Sequence, residues 1–182
     1  MHGDADGYLR FLLERDGEPD LGRRTLARRE AFFVALAADP LRSTAPVERA
    51  AYLRNVNRRR PEGGLDARTL WLLATAQANQ AERFGVGLAE LYGVVTSESD
   101  PVRLHVTLQE MYHTRILADV LALFDLPIRH RPPALGMRAM THLMVRTPDR
   151  WHLPLVGAGE MVGCVMFTTL RDRGLELFAQ DT

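Results

Sequence analysis

The sequence predicts an all-α protein, and three observations carry that prediction. Long proline-free stretches at 67–92 and 102–126 repeat their apolar residues at helical spacing. No segment sustains the period-two alternation of a half-buried strand. The breaks between the helical stretches are rich in Pro, Gly, Asp and Ser, which stop or cap helices.

Taken in order, residues 7–40 form one or two helices with apolar Tyr8, Phe11, Leu12, Leu26, Phe32, Phe33 and Leu36, divided at Gly17–Gly22. Pro40 and the STAP segment at 43–46 end this part. A short helix follows over 46–58. The loop RRRPEGGLD at 58–66 ends in Asp66, placed as an N-cap for the next helix. From Ala67 to about Tyr92, Leu70, Leu73, Gln77, Ala81, Phe84, Leu88 and Leu91 mark an expected inward stripe. TSESDP at 96–101 closes that helix and opens another over 102–126, and so short a connection makes the two antiparallel neighbours. LPIRHRPP is a break, 134–146 a helix and TPDRWHLP a second break. Val156 to about Leu177 is the last helix, apolar on both faces. The chain therefore divides into an N-terminal helical extension and loop, 1–66, and a bundle, 67–182.

Bulk composition narrows the function classes. Hydrophobic residues make up 46% and charged residues 25%, enough apolar material for a packed core. Lys plus Arg equals Asp plus Glu at 23 each, so no global field attracts nucleic acid or anionic lipid. The local basic runs at Arg23–Arg29 and Arg58–Arg60 fit solvated helix faces and a charged loop. Cys164 is the single cysteine, which excludes a disulfide framework, and its apolar setting predicts a small buried hydrophobe. No stretch is long enough to span a bilayer and the N-terminus carries no signal-like apolar region, so a cytoplasmic protein is expected.

Four residues could carry chemistry. Glu110 and His113 stand three apart on the 102–126 helix, one turn, so both project from the same face and could reach one metal. Glu-x-x-His also occurs on solvated faces, but this pair sits mid-helix among Leu108, Ile116 and Leu117. Glu160 lies in the apolar run LVGAGEMVGCVMFTTL, where a buried carboxylate needs a partner: a metal, an Arg, or the dipole of a helix start. Glu82 stands on the antiparallel neighbour at the height of Glu110, since their midpoint falls in the TSESDP turn. Glu90 is the competing residue, nearer the helix end. Gln77 and Gln80 could donate hydrogen bonds behind these ligands.

The order Glu82, then Glu110-Met-Tyr-His113, then Glu160 in an apolar helix resembles the ferritin-like di-iron oxygenases, in particular the p-aminobenzoate N-oxygenase family, over residues 67–177. The resemblance implies a ferritin-like up-down bundle. It implies two iron ions held by Glu82, Glu110, His113 and Glu160, with Glu110 and Glu160 bridging; manganese fits the same ligands. It further implies dioxygen activation and N-oxygenation of a small amine, in a homodimer. The family pattern continues with a final helix bearing His-x-x-x-Glu-x-x-His. No second Glu-x-x-His follows Glu160 before Thr182, so the bundle is expected to be C-terminally incomplete and inactive as it stands. Two rivals remain: a non-catalytic helical interaction protein whose Glu and His form ion pairs, and a metal-binding bundle that oxidises no substrate.

Overall fold

The computed structural model describes residues 28, 31–32, 34–39, 41–91, 101–132, 135–147 and 149–178. Among them there are helices and no strand. Five helices follow in order: α1 (Arg49–Asn55), α2 (Ala67–Leu91), α3 (Pro101–Leu123), α4 (Leu135–Arg146) and α5 (Asp149–Phe178). Residues 34–38 are also helical. The rest of the expected 7–40 helices and most of the TSESDP turn lie outside the described residues.

Local chemistry explains the boundaries. Asp66 caps α2: one carboxylate oxygen accepts from the Thr69 backbone N–H at 2.9 Å and the other from the Thr69 hydroxyl at 2.6 Å. Those bonds, the hydroxyl's first, hold the Asp66 carboxyl below the usual carboxylate range. Asp66→Ala is therefore expected to lower stability by about 1 kcal/mol at neutral pH. A carboxyl depressed on folding stabilises above its unfolded pKa and loses that effect as pH falls through the folded value. The deficit of the variant in urea melts should accordingly shrink in acid. Pro101 opens α3 at a position where its missing N–H costs nothing.

The end of α3 is a Schellman turn. Asp125 takes the left-handed conformation at φ 54°, Asp125 N–H donates to Ala122 C=O, and Leu126 N–H reaches Leu121 C=O at 3.1 Å. Arg42 and Ser43 donate to the carbonyls of Ala122 and Leu123, both at 2.7 Å. Arg49 pairs with the Asp125 carboxylate at 2.7 Å. The segment before α1 thus satisfies carbonyls that the helix end leaves open.

One core sits where α1, the first half of α2 and the end of α3 meet. Tyr52, Val56, Leu72, Leu73, Ala76, Leu121 and Leu126 are buried there, with Val47, Leu65, Trp71, Phe124 and Ile128 against them. The Tyr52 hydroxyl donates to Pro127 C=O at 2.7 Å, and burial pushes its pKa up. Arg129 is buried, with no carboxylate paired to it among the described residues: it donates to Gln77 Oε1 and Arg58 C=O, and among those residues its Nε has no hydrogen-bond partner.

Helices α2 and α3 are antiparallel, as expected. Asn79 Nδ2 donates to Thr114 C=O at 2.6 Å, and the midpoint of those two residues falls at the expected turn. Helix α5 runs antiparallel to α2. Trp71 Nε1 donates to Leu170 C=O at 2.8 Å and Arg68 Nε to Leu177 C=O at 3.1 Å. The Phe178 ring lies 5.3 Å from that of Trp71 and 5.0 Å from that of Phe124. Gly174 makes this approach feasible, since a Cβ there would stand 2.7 Å from the Trp71 ring. Because the indole is clamped by its own hydrogen bond, Gly174→Ala is expected to destabilise by about 1–3 kcal/mol, despite a helix-propensity gain of about 1 kcal/mol. Gly159→Ala, whose methyl would meet nothing within 4 Å, should show the gain alone. Thermal melts of the two variants, shifting in opposite directions, check the packing.

Three expectations need correction. The break at TPDRWHLP does not stop the helix: α5 begins at Asp149 and carries Pro154 inside it. Pro154 lies early in the helix, so it removes one bond, to the Arg150 carbonyl, and the chain continues. The inward stripe of α2 is displaced. Leu73 is buried as expected, but Leu70, Gln77 and Ala81 are exposed, while Thr69, Leu72, Thr75, Ala76 and Asn79 are buried. Cys164 is exposed rather than core. Apolar patterning on both faces of α5 left open which one packs, and the bundle takes the stripe Gly163, Phe167, Leu170, Gly174.

Candidate functional site

The inner face of α2 is a polar seam. Thr75, Asn79 and Glu82 recur at steps of four and three, one stripe of a helix, pointing toward α3. The Thr75 hydroxyl donates back to Trp71 C=O at 3.0 Å. Asn79, fully buried, holds the Thr114 carbonyl through its amide nitrogen, while its Oδ1 and the Thr114 hydroxyl are buried with no hydrogen-bond partner. One turn further, Glu82 Oε2 stands 3.1 Å from His113 Nδ1. The Glu82 side chain is mostly buried and that of His113 partly so. The His113 ring also packs on Phe167 of α5, centroids 5.9 Å apart.

The sequence-predicted residues therefore fall into three groups. Glu82 and His113, from different helices, are in direct contact. Glu110 lies on α3 one turn before His113, and its side chain, like that of Glu90 on α2, is outside the described residues. Glu160 is exposed. It lies two turns before Phe167 and five before Phe178, so it continues the stripe that faces the bundle. Yet a Cβ at neighbouring Gly159 meets nothing within 4 Å, which shows that this stripe leaves the packed region beyond Gly163. The burial expected for Glu160 is thus absent, because no described residue covers that end of α5. Among the described residues no three His, Cys, Asp or Glu side chains converge as a metal set.

Gln80 and Gln77 turn away from the pair, donating to Arg131 C=O and accepting from Arg129. Sequence reasoning missed Asn79, Thr75 and Thr114. The signal was present in the four-and-three spacing of Thr75, Asn79 and Glu82, which tracks one helix face as closely as the leucines do. It also missed Asp119, whose Oδ2 is buried without a partner and whose pKa is raised by burial, with Arg115 opposing the shift. His130 and His142 are exposed and far from this arrangement in sequence.

No helix among the described residues is long and apolar enough to cross a membrane. Compared with known proteins, the chain matches no family model, no curated protein and no solved structure.

Proposed function

We propose that this chain is a metal-binding bundle of the ferritin-like di-iron kind, an oxidoreductase scaffold for a small amine and dioxygen. The observation that carries the reading is the 3.1 Å contact of Glu82 Oε2 with His113 Nδ1 across two antiparallel helices. Two donor atoms each about 2.1 Å from one metal and at right angles stand about 3 Å apart, so the pair fits one metal without rearrangement. Two buried oxygens without a hydrogen-bond partner among the described residues, on Asn79 one turn before Glu82 and on Thr114 next to His113, support the same reading. Buried polar atoms left without partners are rare in a helix interface that serves packing alone.

In this reading Glu82 and His113 hold one metal, and Glu110, one turn before His113 on α3, is the further ligand that the resemblance implies. Glu160 would join from α5 only with that end of the helix drawn onto the bundle. Iron, or manganese in the same ligands, would supply dioxygen activation for oxidation of the amine nitrogen. The chain's own contribution is to fix ligand geometry, with the Phe167 ring setting the plane of the imidazole.

A second reading has its own observation. A carboxylate and an imidazole at 3.1 Å also make a hydrogen bond that needs no metal. This is the helical interaction protein, with the pair as an interhelical tie. Anaerobic titration with ferrous iron, followed by metal analysis after gel filtration, separates the two. Retained iron near one ion or more per chain is expected, and a protein that emerges without iron overturns the metal reading.

A further inference from the structure

Two basic runs far apart in the chain, Arg58-Arg59-Arg60 and Arg129-His130-Arg131, meet beside α2. Arg129 donates to Arg58 C=O at 2.8 Å, and the His130 backbone N–H donates to Asn57 Oδ1 at 2.9 Å. Helix α2 holds the second run as well: Gln80 Nε2 donates to Arg131 C=O, and Arg83 to Arg129 C=O at 3.5 Å. With Tyr52 on Pro127 C=O and Ile128 against the core, each residue from 127 to 131 is tied in place. Pro127 and Pro132 restrict the backbone on either side. The segment is thus set before any ligand arrives, which lowers the cost of binding one.

The charge gathered there is one-sided. Arg129 is only 8% exposed, and burial, then the Arg131 charge beside it, pull its pKa below the usual arginine value. Its Nε has no hydrogen-bond partner among the described residues. Glu62, the carboxylate of the 58–66 loop, is taken by Arg58. Among the described residues no carboxylate pairs with Arg59, Arg60, Arg83, Arg129 or Arg131. A guanidinium held out of water beside a second one is unfavourable unless an anion offsets it.

We propose that this surface is an anion site for a phosphate group, free or carried by a larger molecule, held by Arg83 and Arg131 with Arg59 and Arg60 at its rim and Arg129 beneath. A guanidinium fork meets two phosphate oxygens at once. Several cations around one point suit a phosphate, with up to two charges and three acceptor oxygens, better than a carboxylate. A net charge of zero confines the field to this patch, so a long polyanion has no track to follow. Gln77 and Gln80 turn away from the contact of Glu82 with His113, so the site is separate and stands or falls independently of the metal reading.

Calorimetric titration of inorganic pyrophosphate into metal-free protein at low salt tests it. Saturable binding at one site per chain is expected, with acetate failing to compete. Arg131→Gln and Arg83→Gln should each weaken binding about tenfold. Arg173→Gln, exposed and paired with Glu176 on α5, should leave it unchanged. Arg131→Gln is the cleaner variant, since the tie to Gln80 runs through the backbone carbonyl and survives. Without ligand it should melt at or above the wild-type temperature, because the charge beside Arg129 is gone. Adenosine triphosphate binding tighter than pyrophosphate would assign the phosphate to a larger molecule, and equal or weaker binding to a free one; both support the site. No binding of either compound, or binding that Arg131→Gln and Arg83→Gln leave intact, overturns the proposal. Binding lost in Arg131→Gln together with a lowered melting temperature would mark a structural role and also overturns it.

Discussion

Leu72→Ala should lower the unfolding free energy by about 3–4 kcal/mol, and Leu121→Ala by a similar amount. Both leucines are fully buried, on opposing helices, in the cluster that also holds Tyr52, Val56 and Leu126. Truncation removes the transfer free energy of the lost carbons and leaves a cavity. The surroundings cannot collapse into it freely, because α1 and the 124–128 turn are tied by Tyr52, Arg49 and the Asp125 turn. Urea melts with an unchanged slope and a lowered midpoint are the expected result. Leu70→Ala, on the opposite side of α2, should cost less than about 0.5 kcal/mol. Equal effects at Leu70 and Leu72 would mean that α2 is rotated from the orientation described.

That comparison also measures what was legible in the sequence. The extent of α2, of α3 and of α4, and the antiparallel pairing of α2 with α3, follow from periodicity, proline placement and loop length, all of which act locally. The Asp66 cap was legible for the same reason. The face of α2 that packs was not. Leu70 and Phe84 outweigh Thr69, Thr75 and Asn79 on any hydropathy reading, yet Leu70 is exposed and Phe84 half-buried, while the threonines and the asparagine are buried as Leu73 is. They can be buried because each finds an acceptor: Thr69 the Asp66 carboxylate at the cap, Thr75 the Trp71 carbonyl one turn back in the same helix, and Asn79 the Thr114 carbonyl, which only the tertiary structure supplies. Glu160 and Cys164 fail in the opposite sense. An apolar neighbourhood in sequence implies burial only if something packs there, and the first half of α5 has no such cover among the described residues. Helix α5 also shows the weakness of Pro as a stop signal. Near a helix start it removes one hydrogen bond and the helix continues.

His113→Ala and Glu82→Gln should each weaken ferrous iron binding by at least tenfold, with His113→Ala the more severe. The two substitutions ask different questions. Glu82→Gln keeps the shape of the side chain and can still hydrogen-bond to the imidazole, so an interhelical tie would survive it nearly intact. A metal site would not, because the amide lacks the charge that offsets the cation. His113→Ala removes the tie, the ligand and the ring packed on Phe167 together, and should lower stability as well as metal affinity. The pattern across both variants therefore decides the role of the contact. Iron lost in Glu82→Gln at unchanged melting temperature identifies a ligand. Iron absent from the wild type, with a melting temperature that falls only in His113→Ala, identifies a structural pair. Asn79→Leu adds the energetic argument. If the seam is polar because it serves a site, filling it with carbon should cost little stability or raise it, while iron binding falls. If Asn79 is there to hold Thr114, the same substitution should destabilise by about 1–2 kcal/mol and leave any metal binding unchanged.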